Sequence, residues 1–494
     1  MVNKFNLKNM ENILRTNYWL ENQKLLANNS IAKLLNSWGL NVPLTKLTPD
    51  KKKQAGFVME TVMAAYGLFF EDGILDQIVD GFYPSLDGRL QGKLTDNHKS
   101  LAVSIHGDGI NTAVKYAPVL TGSLEIGALS PLKVALNGND GVLSFAVGDV
   151  SWQLGINFAQ PPPHATTKFH FQNSSYFGKS YVDACVSSQK GGFVLVDTGH
   201  LCEQGCKFCT YEQGQIVINQ DNFIKVEQVL DFIASKTSKI TACFSSGSAL
   251  TPDRGIVALF SPMLQTVDKL KAKYPNLKVE LELELMPWET TEDEAVLDII
   301  SKYHQKGYVK AVNLNLETPY GIDRNEFMST EPHGKANIPI IGQNGFNRGY
   351  LETFQLLKNH FPNLQLAGLI LFGLKPKTMN WIEYVKLALE TVNIFAQNDV
   401  KILFQPVKIA STTPIADYPT VDIFWLTGSV LATGLIHLQY GFDKKPKVGC
   451  VNGCDACDSS RGTYSLLKYF QKLGGEQAVS QLFSPWLEIL NKEP

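Results

Sequence analysis

The chain has 494 residues, 44% of them hydrophobic and 19% charged, the composition of an ordinary globular protein with material for about two or three domains. Lys and Arg number 45 against 47 Asp and Glu, a formal net charge of −2, so no strongly basic face is implied and nucleic acid is not an expected partner. No apolar run approaches the ~18 residues of a membrane span, and Met1-Val2-Asn3-Lys4-Phe5-Asn6 lacks the apolar centre of a secretion signal, so a cytoplasmic protein without a membrane partner is expected.

Residues 1–95 read as mostly helical. Apolar residues recur at helical intervals from Glu11 to Leu40, and Thr48-Pro49-Asp50 starts a further helix with proline in its first turn. The apolar stretch from Gly56 to Phe70, Glu60 included, reads as a buried helix. From about Leu101 to Phe158 short apolar runs alternate with Gly, Asn and Asp, a strand-and-turn texture, and Asn137-Gly138-Asn139-Asp140-Gly141 marks a hairpin. Pro161-Pro162-Pro163 stiffens a boundary. Residues 1–164 are therefore expected to form an accessory α+β domain, with 165–190 as a lead-in; no catalytic motif falls in either.

From Gly191 strand-like runs alternate with helical ones. Strands are expected at 193–197, 240–245, 277–285, 311–317, 364–371 and 401–407, and helices at 223–235, 256–274, 292–306, 348–360, 381–396 and 421–436. Such βα repetition implies a parallel sheet with helices outside it over 191–440, and ligands in such folds sit at the carboxyl ends of the strands. The third strand puts Glu280, Glu282 and Glu284 on one face and leucines on the other; the fourth does the same with Asn313, Asn315 and Glu317. An acidic interior face that receives a cation competes here with an ordinary charged edge strand. The long segment from Pro319 to Asn347 is a candidate functional loop and offers Arg324, His333, Lys335 and Gln343 as substrate or carboxylate contacts.

Eight cysteines remain: Cys185, Cys202, Cys206, Cys209, Cys243, Cys450, Cys454 and Cys457. Two C-x3-C-x2-C triplets and the missing secretion signal favour metal over disulfides. The first triplet follows the apolar run Gly192-Phe193-Val194-Leu195-Val196, and three thiolates leave a fourth coordination position open. The second ends the chain's cysteine content in a C-terminal extension, 441–494.

The stretch His200-Leu201-Cys202-Glu203-Gln204-Gly205-Cys206-Lys207-Phe208-Cys209 resembles the signature of the radical S-adenosylmethionine (SAM) superfamily, down to the aromatic Phe208 before the last cysteine. The resemblance covers about residues 190–440 and implies an open, partial (β/α)6 TIM-like barrel. It implies a [4Fe-4S] cluster held by Cys202, Cys206 and Cys209, with SAM on the remaining iron. Reductive cleavage of SAM to a 5′-deoxyadenosyl radical, hydrogen abstraction from a small-molecule or peptide substrate, and reduced flavodoxin or ferredoxin as electron donor follow from it. Ser245, Ser246 and Gly247 stand where the family holds the SAM amino group, although a tight turn explains them equally and the family's carboxylate is missing. Gly368 and Gly373 resemble the stretch that packs against adenine, Arg348 is placed to meet the SAM carboxylate or to make a surface salt bridge, and Glu282, Glu284 and Glu317 would hold cationic groups. Asn315-Leu316-Glu317-Thr318 resembles a segment of lipoyl-synthase-like members.

Cys450, Cys454 and Cys457 suit a second iron–sulfur cluster, with zinc as the alternative, and need a fourth ligand from Cys185, Cys243, Ser459, Ser460 or a substrate. Their position after the βα repeats, and their spacing, differ from lipoyl synthase and from the SPASM and Twitch extensions, so no subfamily follows. Three functions are open: a radical SAM enzyme with an auxiliary cluster, a lipoyl- or biotin-synthase-like sulfur insertase that consumes it, and a non-enzymatic iron–sulfur or zinc protein.

Overall fold

A computed structural model describes residues 23–70, 100–112, 115–121, 130–137, 140–158, 182–185, 192–197, 202–209, 220–235, 237–245, 255–331, 334–345, 347–407, 414–415, 418–419, 421–445 and 460–490. Helix α1 spans 23–37. Helix α2, Pro49–Tyr66, starts where its sequence signal lies: Thr48 accepts a hydrogen bond from the Lys51 amide at 3.4 Å, with Pro49 in the first turn. The expected continuation to Phe70 stops at Gly67, whose φ of +72° is a left-handed conformation open to glycine and incompatible with the helix. Leu68–Phe70 is instead strand β1.

Strands β2 (Ser100–Gly107), β3 (Ile110–Asn111), β4 (Lys115–Thr121), β5 (Leu132–Asn137), β6 (Asp140–Val147) and β7 (Val150–Phe158) join β1 in one sheet. The order β1–β4–β2–β7–β6–β5–β1 closes on itself, with β1 parallel to β4 and β5 and the other pairings antiparallel. Each strand of the ring is thus paired on both sides, while β3 pairs with β2 alone. The β5–β6 register pairs Asn137 with Asp140, so the hairpin turns where the Asn/Gly/Asp run requires.

The second sheet begins with β8 (Val182–Cys185), inside the expected lead-in and antiparallel to β9 (Gly192–Asp197). After β9 come α3 (Gln220–Ala234), β10 (Lys239–Ser245), α4 (Ile256–Lys273), β11 (Lys278–Leu285), α5 (Asp293–Gln305) and β12 (Val309–Leu314). A two-stranded hairpin, β13 (Gln343–Asn344) and β14 (Asn347–Arg348), precedes α6 (Tyr350–His360), β15 (Gln365–Phe372), α7 (Trp381–Gln397), β16 (Val400–Pro406) and α8 (Ile423–Gln439). Strands β9, β10, β11, β12, β15 and β16 are hydrogen-bonded in chain order and all parallel. Each is followed by a helix, as the alternation of apolar runs predicts. β11 therefore lies between two partners, and the edge-strand reading of its glutamates is wrong. Helix α9, Ser460–Leu490, is broken at Gly474 and at Gly475, whose φ is +61°.

Helices α1, α2, α8 and α9 share one apolar core. The Tyr66 hydroxyl donates to the Val421 carbonyl, and the Ser30 hydroxyl accepts from the Ile423 amide at 3.2 Å. Trp38 donates to the Leu482 carbonyl at 3.1 Å, and Trp486 to the Phe424 carbonyl at 2.8 Å, so both large rings are buried with their N–H groups satisfied. The expected domain boundaries at 164/165 and 190/191, with Pro161-Pro162-Pro163, lie outside the described residues. No helix among the described residues is long and apolar enough to cross a membrane.

Candidate active site

The first triplet sits in the connection between β9 and α3, at the carboxyl end of the first parallel strand. Gly205, at φ +57°, lets the chain turn tightly between Cys202 and Cys206. The Cys209 amide donates to the Cys206 carbonyl at 3.1 Å, closing that turn. Cys206 is buried, whereas Cys202, Phe208 and Cys209 are half-buried. All three cysteines are present as thiols. Burial pushes the Cys206 thiol up to about 12; Lys335 opposes this, while Glu317 and the charges of Cys202 and Cys209 add to it. The three sulfurs thus lie within electrostatic reach of one another. They do not converge as the ligands of a single ion do: among the described residues no three Cys, His, Asp or Glu side chains are gathered that closely. Three thiolates are a soft donor set that suits an iron–sulfur cluster or zinc.

The long β12–α6 connection clasps this turn. The Lys207 amide donates to the Phe327 carbonyl at 2.9 Å, and Lys207 Nζ to the carbonyls of Asn325 and Glu326 at 3.3 and 3.0 Å. Gln204, fully buried, accepts from the Lys335 amide at 2.7 Å. Lys335 Nζ reaches Glu317 Oε1 at 2.8 Å, with the two side chains only 13% and 10% exposed. Burial pushes the Lys335 ammonium down, but Glu317, Cys206 and Tyr350 outweigh it and hold the group well above the ordinary lysine value. Glu317 thus already holds a cation, and it comes from the loop rather than from a ligand. It is also not placed by strand alternation. β12 ends at Leu314, and Glu317 has φ +68°, a left-handed conformation unfavourable for a residue with a side chain. Two bonds to β15 keep it there: its amide donates to Leu369 O at 3.0 Å and its carbonyl accepts from Leu371 N at 2.9 Å.

The glutamates of β11 do share a face. Glu280 is paired with Lys239 at 2.7 Å, Glu282 is fully buried with Oε1 at 4.0 Å from Cys243 Sγ, and Glu284 accepts from Asn315 Nδ2. Asn313, 2% exposed, donates to Asn315 Oδ1 at 3.0 Å. The register line Glu284–Asn313–Ala367–Lys401 runs across four strands and ends on a buried lysine, so the face is not purely acidic.

Arg348 departs from its expected place but makes a salt bridge, one of its two expected contacts. It lies in β14 rather than opening α6, and its fork binds Asp293, Nη1 to Oδ1 at 2.8 Å and Nη2 to Oδ2 at 2.5 Å. The bidentate contact is thus to a carboxylate of the protein. Burial pushes the Asp293 carboxyl up, but the bonds from Arg348 and Trp288 prevail and hold it below its ordinary value. At Gly368 the space a side chain would take is filled by Leu316 Cδ1 at 2.7 Å, Ile402 Cδ1 at 2.8 Å and the Leu314 carbonyl at 2.8 Å; at Gly373 (φ +111°) it is filled by Val407 and Val421. The close approach that these glycines permit is thus made by protein atoms. Ser245 ends β10 half-buried, while Ser246, Gly247, His333, Cys450, Cys454 and Cys457 lie outside the described residues. Gln343 is exposed in the β13–β14 hairpin.

The sequence reading missed Gln204 and Lys207 as the groups that tie the triplet to the loop, and Tyr350 beside Lys335. Only Gln204 and Lys207 carried a signal, their position between the cysteines.

No family model matches the chain, and no curated protein matches it. Among solved structures, a radical S-adenosylmethionine methyltransferase, TsrM from Kitasatospora setae, with cobalamin and a [4Fe-4S] cluster bound, is similar over 46% of this chain at 14% identity and a TM-score of 0.32. The chain spans 39% of the length of that enzyme, and a likeness of this size assigns neither fold nor activity.

Proposed function

We propose that the protein is a radical SAM enzyme whose Cys202, Cys206 and Cys209 hold a [4Fe-4S] cluster. The observation that carries the reading is a C-x3-C-x2-C turn at the carboxyl end of the first of six parallel strands paired in chain order, each strand followed by a helix. Strands joined in that order by same-handed crossovers put their helices on one side, and the sheet then curls into an open (β/α)6 barrel. With SAM bound, such a cluster supplies the electron that breaks the sulfonium C–S bond and so provides the hydrogen-abstracting 5′-deoxyadenosyl group.

The chain's own residues orient and enclose. Gln204, Lys207 and Lys335 pin the triplet to the β12–α6 loop, which covers it and limits access of water. Glu282, Glu284, Asn313 and Asn315 line a polar sheet face on which a small-molecule or peptide substrate is held. Reduced flavodoxin or ferredoxin is the proposed electron donor, and Cys450, Cys454 and Cys457 are the proposed ligands of a second iron–sulfur cluster. Anaerobically reconstituted, dithionite-reduced protein should form 5′-deoxyadenosine and methionine from SAM, and Cys206→Ala protein should form neither. A wild-type preparation loaded with iron that leaves SAM intact defeats the reading.

A further inference from the structure

Arg324 is 6% exposed, yet its Nε and Nη1 have no hydrogen-bond partner among the described residues. Its remaining contacts are weak ones for a cation: Nη2 lies 3.2 Å from Met328 Sδ, and the guanidinium stands over the Tyr350 ring, 5.2 Å from the centroid. A guanidinium does not shed its charge when buried, so an unpaired one is strongly disfavoured unless an anion completes it. The Tyr350 hydroxyl is buried and likewise without a partner among the described residues. Tyr350 is in turn within electrostatic reach of Lys335. Lys335 is paired with the carboxylate of Glu317, whereas no carboxylate is hydrogen-bonded to Arg324 among the described residues.

We infer that Arg324 and Tyr350 form a binding site for the carboxylate of a small-molecule ligand other than SAM. Two unused nitrogens of a planar fork match a carboxylate in geometry and charge, and the Tyr350 hydroxyl supplies a further donor. Lys335 Nζ is already engaged by Glu317 at 2.8 Å, so the open contacts for a further carboxylate are those of Arg324 and Tyr350. On the radical SAM reading SAM is taken by the iron that the triplet leaves open, which leaves this contact to a substrate; only this exclusion of SAM rests on that reading. The substrate class is therefore an anionic, carboxylate-bearing molecule.

The test uses reconstituted holoprotein and acetate as the probe, with acetate replacing chloride at constant ionic strength. The melting temperature of the wild type should rise saturably with acetate, with and without saturating SAM. Arg324→Met should melt higher than wild type in chloride, because an unpaired buried charge is gone, and should not respond to acetate. Arg324→Lys keeps the charge but loses the fork, and should weaken the acetate response about tenfold or more. An absent acetate response in the wild type, or an undiminished one in Arg324→Met, overturns the site; a response erased by SAM overturns the exclusion of SAM. 5′-Deoxyadenosine formation by the same preparations separates the two proposals. Acetate binding without it sinks only the radical SAM reading, and SAM cleavage without acetate binding sinks only the carboxylate site.

Discussion

Replacing Lys335 with methionine tests the clasp over the triplet most directly. Lys335 Nζ and Glu317 Oε1 are 2.8 Å apart and almost enclosed. At that distance and an effective dielectric of ~20 their attraction is about 6 kcal/mol, much of it offset by removing both ions from water. Removing the cation strands the carboxylate, so Lys335→Met should lower the unfolding free energy of the unloaded chain by ~3–5 kcal/mol. Glu317→Gln should cost a similar amount, since it leaves Lys335 as an uncompensated buried cation. The double variant Lys335→Met/Glu317→Gln should recover most of the loss, because two neutral side chains of similar length replace the pair. Urea unfolding followed by circular dichroism measures all four corners of the cycle. The pH dependence has a fixed sign. The Lys335 pKa is raised in the folded state, so its contribution is complete below the unfolded value of about 10.5 and is lost as pH rises through the folded one. Wild type should thus lose stability on the alkaline side through a transition that Lys335→Met lacks. Single variants within ~1 kcal/mol of wild type, with an additive double variant, would show that the pair is not coupled and that the loop is held by its backbone bonds alone.

Other substitutions separate packing from ligand contact. Gly368→Ala places a methyl 2.7 Å from Leu316 Cδ1 and 2.8 Å from the Leu314 carbonyl. It should destabilise by ~1–3 kcal/mol, read as a fall in melting temperature in the absence of SAM. Arg348→Met should remove ~1–2 kcal/mol at neutral pH while leaving the affinity for SAM unchanged in a calorimetric titration. Asp293 titrates low in the folded state, so this contribution is present above the unfolded carboxylate pKa and is lost as pH falls through the folded one. The variant should therefore unfold with a flatter acid limb. Cys206 is a neutral thiol in the unloaded chain, its pKa raised to about 12, and metal ligation requires the thiolate. Iron incorporation should accelerate from pH 7 to pH 9 and release protons to a weakly buffered solution, read by a pH indicator.

The βα half of the protein was legible because its signals are local. Apolar runs of strand length, separated by amphipathic stretches, placed six strands and six helices to within a few residues, and chain order then fixed their neighbours. The N-terminal ring was not legible in that way. Its strands and its hairpin at Asn137–Asp140 carry local signals, but closure depends on β1 inserting between β4 and β5 and on β2 meeting β7, pairings between segments far apart in sequence. The site shows the same division. Spacing alone singled out Cys202, Cys206 and Cys209, which the fold places after β9, and alternation alone put the β11 glutamates on one face. Partners were a different matter: Arg348 finds Asp293 55 residues away, and Lys207 reaches a loop more than 110 residues on.

Glu317 shows why alternation failed where it mattered most. A period of two holds only while the backbone stays extended, and the backbone at Glu317 is left-handed, held by bonds to β15. A strained residue persists only where its surroundings impose it, and here those surroundings aim its carboxylate at Lys335 beside the triplet. The strain and the ion pair thus serve one end: they fix a loop cation next to Cys206. Glu317→Gly would relieve the strain and remove the pair together, whereas Glu317→Asn keeps a left-handed residue without the charge. If the pair governs the clasp, both should loosen the 318–349 loop equally in hydrogen exchange; if backbone geometry governs it, Glu317→Asn should leave the Lys207 and Lys335 amides protected.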